Sequence, residues 1–134
     1  MILEDRDIKP VYTTFEDLDL YTEARAFRVS IYRLAKRLPE EEKYGLAVQM
    51  RRAAVSLTNN IAEGHGRFHY QENIQFLRQA RGSLQELIDD LNVCFDEQYA
   101  HAGEVMPLKG AGYAVLKRIN GYLKYLQHEK LTTT

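Results

Sequence analysis

The sequence contains little cysteine, proline or tryptophan, with one Cys, three Pro and no Trp in 134 residues. The single cysteine, Cys94, excludes an internal disulfide framework, and its place among apolar positions indicates a packed small hydrophobe rather than a reactive thiol. No apolar run approaches the ~20 residues that span a bilayer, and the chain does not open on a charged and then apolar leader. We therefore expect a soluble, cytoplasmic protein.

A strong charge of one sign is also absent, because 18 basic residues face 19 acidic ones and the formal net charge is −1. Such a balance gives no global attraction to nucleic acid or to an anionic membrane. The charges are nevertheless segregated along the chain. Residues 83–104 carry six acidic side chains and no Lys or Arg, whereas residues 51–82 and 105–134 have an excess of cations. The acidic segment either neutralises basic segments on neighbouring helices or another subunit, or forms a binding patch.

Apolar residues recur at three- and four-residue steps in four segments, which predicts four helices. The segments run from residue 18 to Pro39, from Pro39 to about residue 62, from about residue 70 to 98, and from residue 108 towards the tail. Since no alternating strand pattern is present and the connections are short, we predict an all-α fold, an antiparallel up-down-up-down four-helix bundle. The bundle covers residues 18–128, between an irregular N-terminal arm (1–17) and a C-terminal tail (129–134).

Two glycines have different predicted roles. Gly64 follows the second helical segment, where we expect it to adopt the left-handed conformation that closes a helix. Gly82 lies inside the third segment at a propensity cost of ~1 kcal/mol, which we expect to be tolerated because a neighbouring backbone comes close.

The second predicted helix carries a polar stripe opposite its apolar one, and the third repeats it with Gln79, Ser83 and Glu86. We expect the two stripes to lie near each other, with Arg52 neutralising carboxylates across the interface. Two interpretations stay open: a polar seam that fixes helix register, or a docking surface. The stripe of the second helix consists of Gln49, Arg52, Ser56, Asn60 and Glu63.

The sequence contains no strong motif for metal binding or catalysis. The chain lacks the Glu-x-x-His pairs of di-iron bundles, and His65 and His69 fall in a predicted loop. Ser56 and Ser83 have no nucleophile motif around them. We therefore predict no catalytic residue, metal or cofactor, and a protein that is not an enzyme.

A nucleic-acid interface is the alternative hypothesis, because the first predicted helix is basic and carries Tyr32 among its cations. Cations with an interleaved aromatic suit phosphate contact and base stacking. An ordinary solvated helix surface would have the same composition. The candidate contacts are Arg25, Arg28, Arg33, Lys36 and Arg37.

Several motifs together resemble a known family: Tyr44-Gly45-Leu46, the run 49–64, Arg67 and the run 82–87. They are similar to the four-helix-bundle proteins encoded in intervening sequences of bacterial 23S ribosomal RNA genes, and the resemblance covers about residues 15–126. It implies a small helical bundle that assembles into a homopentamer. It also implies a distant relation to accessory proteins of diversity-generating retroelements, whose reverse transcriptases they serve.

The family signature, carried over residue by residue, includes both polar stripes. This chain departs from it at Thr58, where the family usually has proline, and in being nearly neutral where the retroelement relatives are basic. We therefore expect a self-assembling assembly or adaptor module, with an RNA- or DNA-binding accessory protein as the alternative. The signature positions are Gln49, Arg52, Ser56, Asn60, Glu63, Gly64, Arg67, Ser83 and Glu86.

Overall fold

Four α-helices account for most of the computed structural model, which describes residues 14–133. We name them α1 (Asp19–Lys36), α2 (Leu46–His65), α3 (Tyr70–Asp96) and α4 (Ala102–Thr133), and two short 3-10 turns, Phe15–Asp17 and Glu40–Glu42, precede α1 and α2. The predicted all-α fold of four helices is confirmed. Most of the predicted N-terminal arm lies outside the described residues.

The core contains the apolar positions that define the helical periodicity. Each helix contributes one stripe of side chains, and burying a Leu, Ile or Met side chain contributes about 1.5–3 kcal/mol. Cys94 is among the buried residues, as its position predicts. The largest fully buried side chains include Ile31 and Leu34 of α1, Met50, Leu57 and Ile61 of α2, Ile74, Leu77, Leu84, Leu87 and Leu91 of α3, and Val105 and Ile119 of α4.

Side-chain contacts give the relative direction of adjacent helices. In three helix pairs, residue numbers rise along one helix as they fall along the other, as they do between antiparallel neighbours. The pairs are Gln49 with Asp90 and Ser56 with Ser83 between α2 and α3, Arg81 with Asn120 and Asn92 with Lys109 between α3 and α4, and Glu23 with Arg118 and Arg37 with Glu104 between α1 and α4.

Helix α4 is longer than its periodicity predicts at both ends. It begins at Ala102 and contains Pro107, whereas the predicted fourth helical segment starts only at residue 108. Val105 is buried, so the first turn packs on the core before the proline is reached. At the other end α4 continues to Thr133, across the predicted tail, and Lys130 donates a hydrogen bond to Gln71 of α3. Packing against α3 thus extends the helix.

The predicted roles of the two glycines are wrong. Gly64 lies inside α2 and is buried, and among the described residues only Gln98 has a positive φ. A Cβ at Gly64 would lie 2.6 Å from Oδ1 of Asn73 and 3.0 Å from Cβ of Phe76, so glycine is required by the approach of α3. A Cβ at Gly82 would meet nothing within 4 Å. The close approach is therefore at Gly64.

Candidate functional site

The two polar stripes meet along the groove between α2 and α3, as their spacing predicts. Oγ of Ser56 lies 2.9 Å from Oγ of Ser83, which joins the helices by a half-buried hydrogen bond. Nδ2 of Asn60 donates to the backbone oxygen and to Oγ of Ser56, at 2.9 and 3.1 Å. We call this row the polar seam and define it as Gln49, Arg52, Ser56, Asn60, Glu63, Ser83, Glu86 and Asp90.

Asp90 belongs to the polar seam but was not among the predicted site residues. Its Oδ1 accepts a hydrogen bond from Nε2 of Gln49 at 3.1 Å, while its buried Oδ2 has no partner within residues 14–133. The side chain is only 3% exposed. Burial, with smaller effects of the charges on Glu86 and Asp89, raises the pKa of Asp90 to about 6. Its spacing of seven residues from Ser83 could have revealed it.

The charged members of the polar seam do not pair as expected. Arg52 and Glu86 are exposed, and within the described part of the chain Arg52 forms no ion pair with Glu86 or Glu63. Glu63 instead accepts a hydrogen bond at 2.9 Å from Arg67, which lies just beyond the end of α2. The expected neutralisation by Arg52 is therefore wrong. The hydrogen bonds that cross the polar seam come from Gln49, Asp90 and the two serines.

Arg67 also anchors the end of the α2–α3 pair. Its guanidinium carbon lies 4.9 Å from the ring centroid of Phe76, a favourable cation–π distance. Phe76 is the same residue that approaches Gly64. The signature positions Gly64 and Arg67 thus both serve the close contact between α2 and α3.

A second polar contact, missed by the sequence analysis, fixes the start of α2. Oε1 of Glu42 accepts the backbone N–H of Leu46 at 3.1 Å, and the hydroxyl of Tyr99 donates to Oε2 at 2.8 Å. These bonds stabilise the carboxylate, so the pKa of Glu42 is lowered and that of Tyr99 is raised to about 12. Glu42 is a helix cap that connects α2 to the α3–α4 turn.

The predicted nucleic-acid contacts divide into two groups. Nη1 of Arg28 donates to Oγ1 of the buried Thr58 at 2.8 Å, and Arg37 forms an ion pair with Glu104. The side chains of Arg25, Arg33 and Lys36 are exposed and make no ion pair within residues 14–133. Of the five candidate contacts, these three are therefore the exposed cations without an ion pair in the described part of the chain.

We also considered the cysteine thiol, metal-binding groups and membrane-spanning helices within the described range. Burial raises the pKa of the Cys94 thiol to about 11, so the reactive thiolate is disfavoured. Within residues 14–133, no three His, Cys, Asp or Glu side chains form a group that could hold a metal ion. No helix in that range is long and apolar enough to cross a membrane.

The family assignment agrees with these observations. A sequence model of the family described as 23S rRNA-intervening sequence protein matches residues 16–121, which is most of the chain and includes the whole polar seam. No curated protein matches the chain. The chain therefore belongs to the 23S rRNA-intervening sequence protein family.

Proposed function

We propose that this 23S rRNA-intervening sequence protein is a non-enzymatic helical bundle that self-assembles and acts as an assembly or adaptor module. By its resemblance to the family, the assembly is a ring of five copies. Self-assembly is the part of this proposal that the surface of the molecule supports best.

The observation that carries the proposal is a set of exposed large apolar side chains on α4 and at the end of α3. Met106 is 61% exposed, Tyr113 52% and Tyr125 54%, and Phe95 at the end of α3 is 50% exposed. Exposed aromatic residues and methionine are enriched at surfaces that bury them against another protein. Each square ångström of apolar surface removed from water contributes about 25 cal/mol.

The polar seam has a different role in this proposal. Ser56, Asn60 and Ser83 use their hydrogen-bonding groups within the monomer. The seam therefore fixes the register of α2 on α3, and of the two interpretations of the stripes this one is favoured. Assembly then requires another surface, which we assign to the exposed apolar side chains of α4 and of the end of α3.

The non-enzymatic part of the proposal rests on where the perturbed groups lie. Asp90 and Cys94 have strongly raised pKa values, which is often a mark of a catalytic site. Both side chains are nearly inaccessible, at 3% and 0% exposure. A solute could not reach either group without separating α2 from α3.

The mass of the protein in solution tests the proposal. The monomer mass is 15.6 kDa, and we expect mass photometry or sedimentation at micromolar concentration to give five times that value. A monomer at every concentration tested would contradict self-assembly. Another closed oligomer would retain self-assembly and reject the number five.

A second candidate function is RNA or DNA binding, favoured by the three exposed cations of α1 that make no ion pair. If Arg25, Arg33 and Lys36 each contact a phosphate, the affinity should fall with salt with a logarithmic slope of about −2 to −3. The substitution of all three by Gln should remove that dependence, with Arg51→Gln as a single-site control on α2. Binding to a labelled duplex that is absent or independent of salt would contradict this function.

A further inference from the structure

We infer that copies of this chain associate side by side through two different surfaces, with an acidic patch of one copy bound to a basic patch of the next. We call this the head-to-tail contact. The inference rests on the proposed self-assembly and specifies its contact. We define the acidic patch as Asp89, Phe95, Asp96, Met106 and Tyr113 on α3 and α4. We define the basic patch as Val29, Arg33 and Lys36 on α1.

The acidic patch combines apolar anchors with carboxylates. Asn92 of α3 is hydrogen-bonded to Lys109 of α4 at 2.8 Å, and Ile88 approaches Gly112, so residues 88–96 lie across from residues 105–112. This pairing places the exposed side chains of Phe95 and Met106 at the same level of the bundle. Asp89 and Asp96 are exposed on α3, in a segment with no Lys or Arg between residues 83 and 104. A surface cavity of about 680 Å³, lined in part by Phe95 and Asp96, opens beside them.

The basic patch has the complementary composition. Val29 is 39% exposed, and Arg33 follows it by four residues on the same face of α1. Arg33 and Lys36 are exposed and make no ion pair within the described range. No acid of residues 14–133 therefore neutralises their charges. An apolar centre beside cations matches an apolar centre beside carboxylates.

Both patches lie at the same height along the bundle axis. Arg37 pairs with Glu104, and Phe27 approaches Gly112, so residues 27–37 of α1 flank the stretch of α4 that residues 88–96 of α3 also flank. The two patches therefore lie on different sides of the bundle but at the same height along its axis. A second copy placed alongside in the same orientation brings opposite charges together, whereas two identical patches brought together would repel.

The other half of the bundle repeats the complementarity with the signs reversed. Glu16, Asp17 and Asp19 are exposed near the start of α1, while Lys117 and Lys124 are exposed on the second half of α4. In the same side-by-side arrangement, these acids face the cations of the neighbouring copy. A contact between different sides of each copy is heterologous, and its repetition gives a ring when the rotation closes.

Charge reversal within one chain tests the inference. We expect Arg33→Glu with Lys36→Glu, and separately Asp89→Lys with Asp96→Lys, each to weaken association at least about tenfold by placing like charges opposite each other. The chain that carries all four substitutions should regain association, because every contact again joins opposite charges. Sedimentation velocity measures the assembly, and circular dichroism checks the fold. Glu40→Lys with Glu41→Lys is the control for the α3 reversal, because it changes the net charge by the same amount and in the same direction.

The outcomes separate this inference from the proposed function. A monomeric wild-type protein rejects self-assembly itself. If the wild type assembles and none of the reversals weakens its assembly, the head-to-tail contact is rejected but self-assembly is not. The same conclusion holds if the α1 reversal abolishes only nucleic-acid binding. Folded variants that fail to regain association when all four substitutions are combined also overturn the inference, because a contact between identical patches behaves in that way.

Discussion

The two helix interfaces of this bundle, α2 with α3 and α1 with α4, are built on different principles. Between α2 and α3, Gly64 lets the helices approach closely, and half-buried hydrogen bonds such as Ser56 with Ser83 cross the groove. Between α1 and α4 the crossing contacts are ion pairs of partly exposed side chains, Arg37 with Glu104 and Arg118 with Glu23. The close interface is crossed by half-buried hydrogen bonds, one of them to the carboxylate of Asp90, whereas the open one is crossed by exposed ion pairs.

The difference shows how polarity is matched to burial. A groove of about 230 Å³ runs between α1 and α4, lined by small side chains including Ala26, Ser30, Ala111 and Ala114. Charges at its edges keep much of their hydration, so their pairing contributes little to stability. In the closer α2–α3 interface, a lost hydrogen bond leaves a poorly hydrated group without a partner, which costs more. The α2–α3 interface should therefore dominate mutational effects.

The largest effect should come from Gly64→Ala. The added Cβ would lie 2.6 Å from Oδ1 of Asn73 and 3.0 Å from Cβ of Phe76, and Asn73 is buried. We expect the overpacking to lower the free energy of unfolding by about 2 kcal/mol, even after the gain in helix propensity. Urea denaturation followed by circular dichroism measures the change.

Two other glycines are controls for this prediction. Gly82→Ala on α3 meets nothing within 4 Å and should stabilise the protein by about 0.5–1 kcal/mol through helix propensity. At Gly112 the added Cβ would lie 3.1 Å from Cγ1 of Ile88 and 3.2 Å from Cζ of Phe27, which is farther than the two nearest atoms at Gly64. Gly112→Ala should therefore cost less than Gly64→Ala. Equal costs at Gly64 and Gly112 would contradict the closer approach at Gly64.

The next largest effect is the pH dependence that Asp90 imposes on the α2–α3 interface. Its pKa of about 6 in the folded chain lies above the ordinary value of 3.8, so folding favours the protonated form. The stabilisation that protonated Asp90 gives the folded chain is fully present at a pH below the ordinary pKa and is lost as the pH rises through about 6. The free energy of unfolding should fall by up to about 2 kcal/mol between about pH 4 and pH 8.

Asp90→Asn isolates that contribution from those of other titrating groups. Denaturation at about pH 5 and about pH 8 avoids the range of Glu42, whose lowered pKa has the opposite sign and is lost in acid. The variant should show a smaller loss of stability between these two pH values than the wild type. Identical losses in the two proteins would mean that Asp90 is hydrated and charged in the folded state.

The periodicity of the sequence could predict the four helices, their apolar stripes and the meeting of the polar stripes. It could not predict why glycine is needed at a given position. Glycine is used both where φ is positive and where a neighbouring helix leaves no room for a Cβ, and only the packing around Gly64 distinguishes the two. Gly82 was misassigned because it meets neither need: its φ is not positive, and a Cβ there would meet nothing within 4 Å. Helix position alone also could not distinguish a solvated acid from Asp90, which has the spacing of the polar seam and becomes buried only when α2 packs on α3.

Contacts between distant parts of the chain were outside the reach of a local pattern. Tyr99 and Glu42 are 57 residues apart, and no spacing rule connects them. The expected neutralisation of Glu63 by Arg52 was reasonable in charge, but Arg67, which follows just beyond the end of α2, lies 2.9 Å from the Glu63 carboxylate. Proximity along the chain therefore decided that ion pair.

A smaller effect is expected from the hydrogen bond at the centre of the polar seam. Ser56→Ala removes the partner of Oγ of Ser83 and should cost about 1 kcal/mol. Combining it with Ser83→Ala should cost less than the sum of the single changes, because no unpaired hydroxyl is left. Ser30→Ala in the α1–α4 groove is the matched control, expected within about 0.5 kcal/mol of wild type. Strictly additive costs at the two seam serines would argue against their coupling.

The smallest effect should come from Glu104→Gln, which removes one charge of the ion pair with Arg37 across α1 and α4. The side chain of Arg37 is 54% exposed, so water and salt already screen the pair. We expect a loss of about 0.5 kcal/mol at low ionic strength that vanishes near 1 M salt, measured by urea denaturation at both conditions. A loss above about 1 kcal/mol that persists in salt would mean that the α1–α4 interface is as poorly hydrated as the α2–α3 interface, because only a poorly hydrated ion pair resists screening.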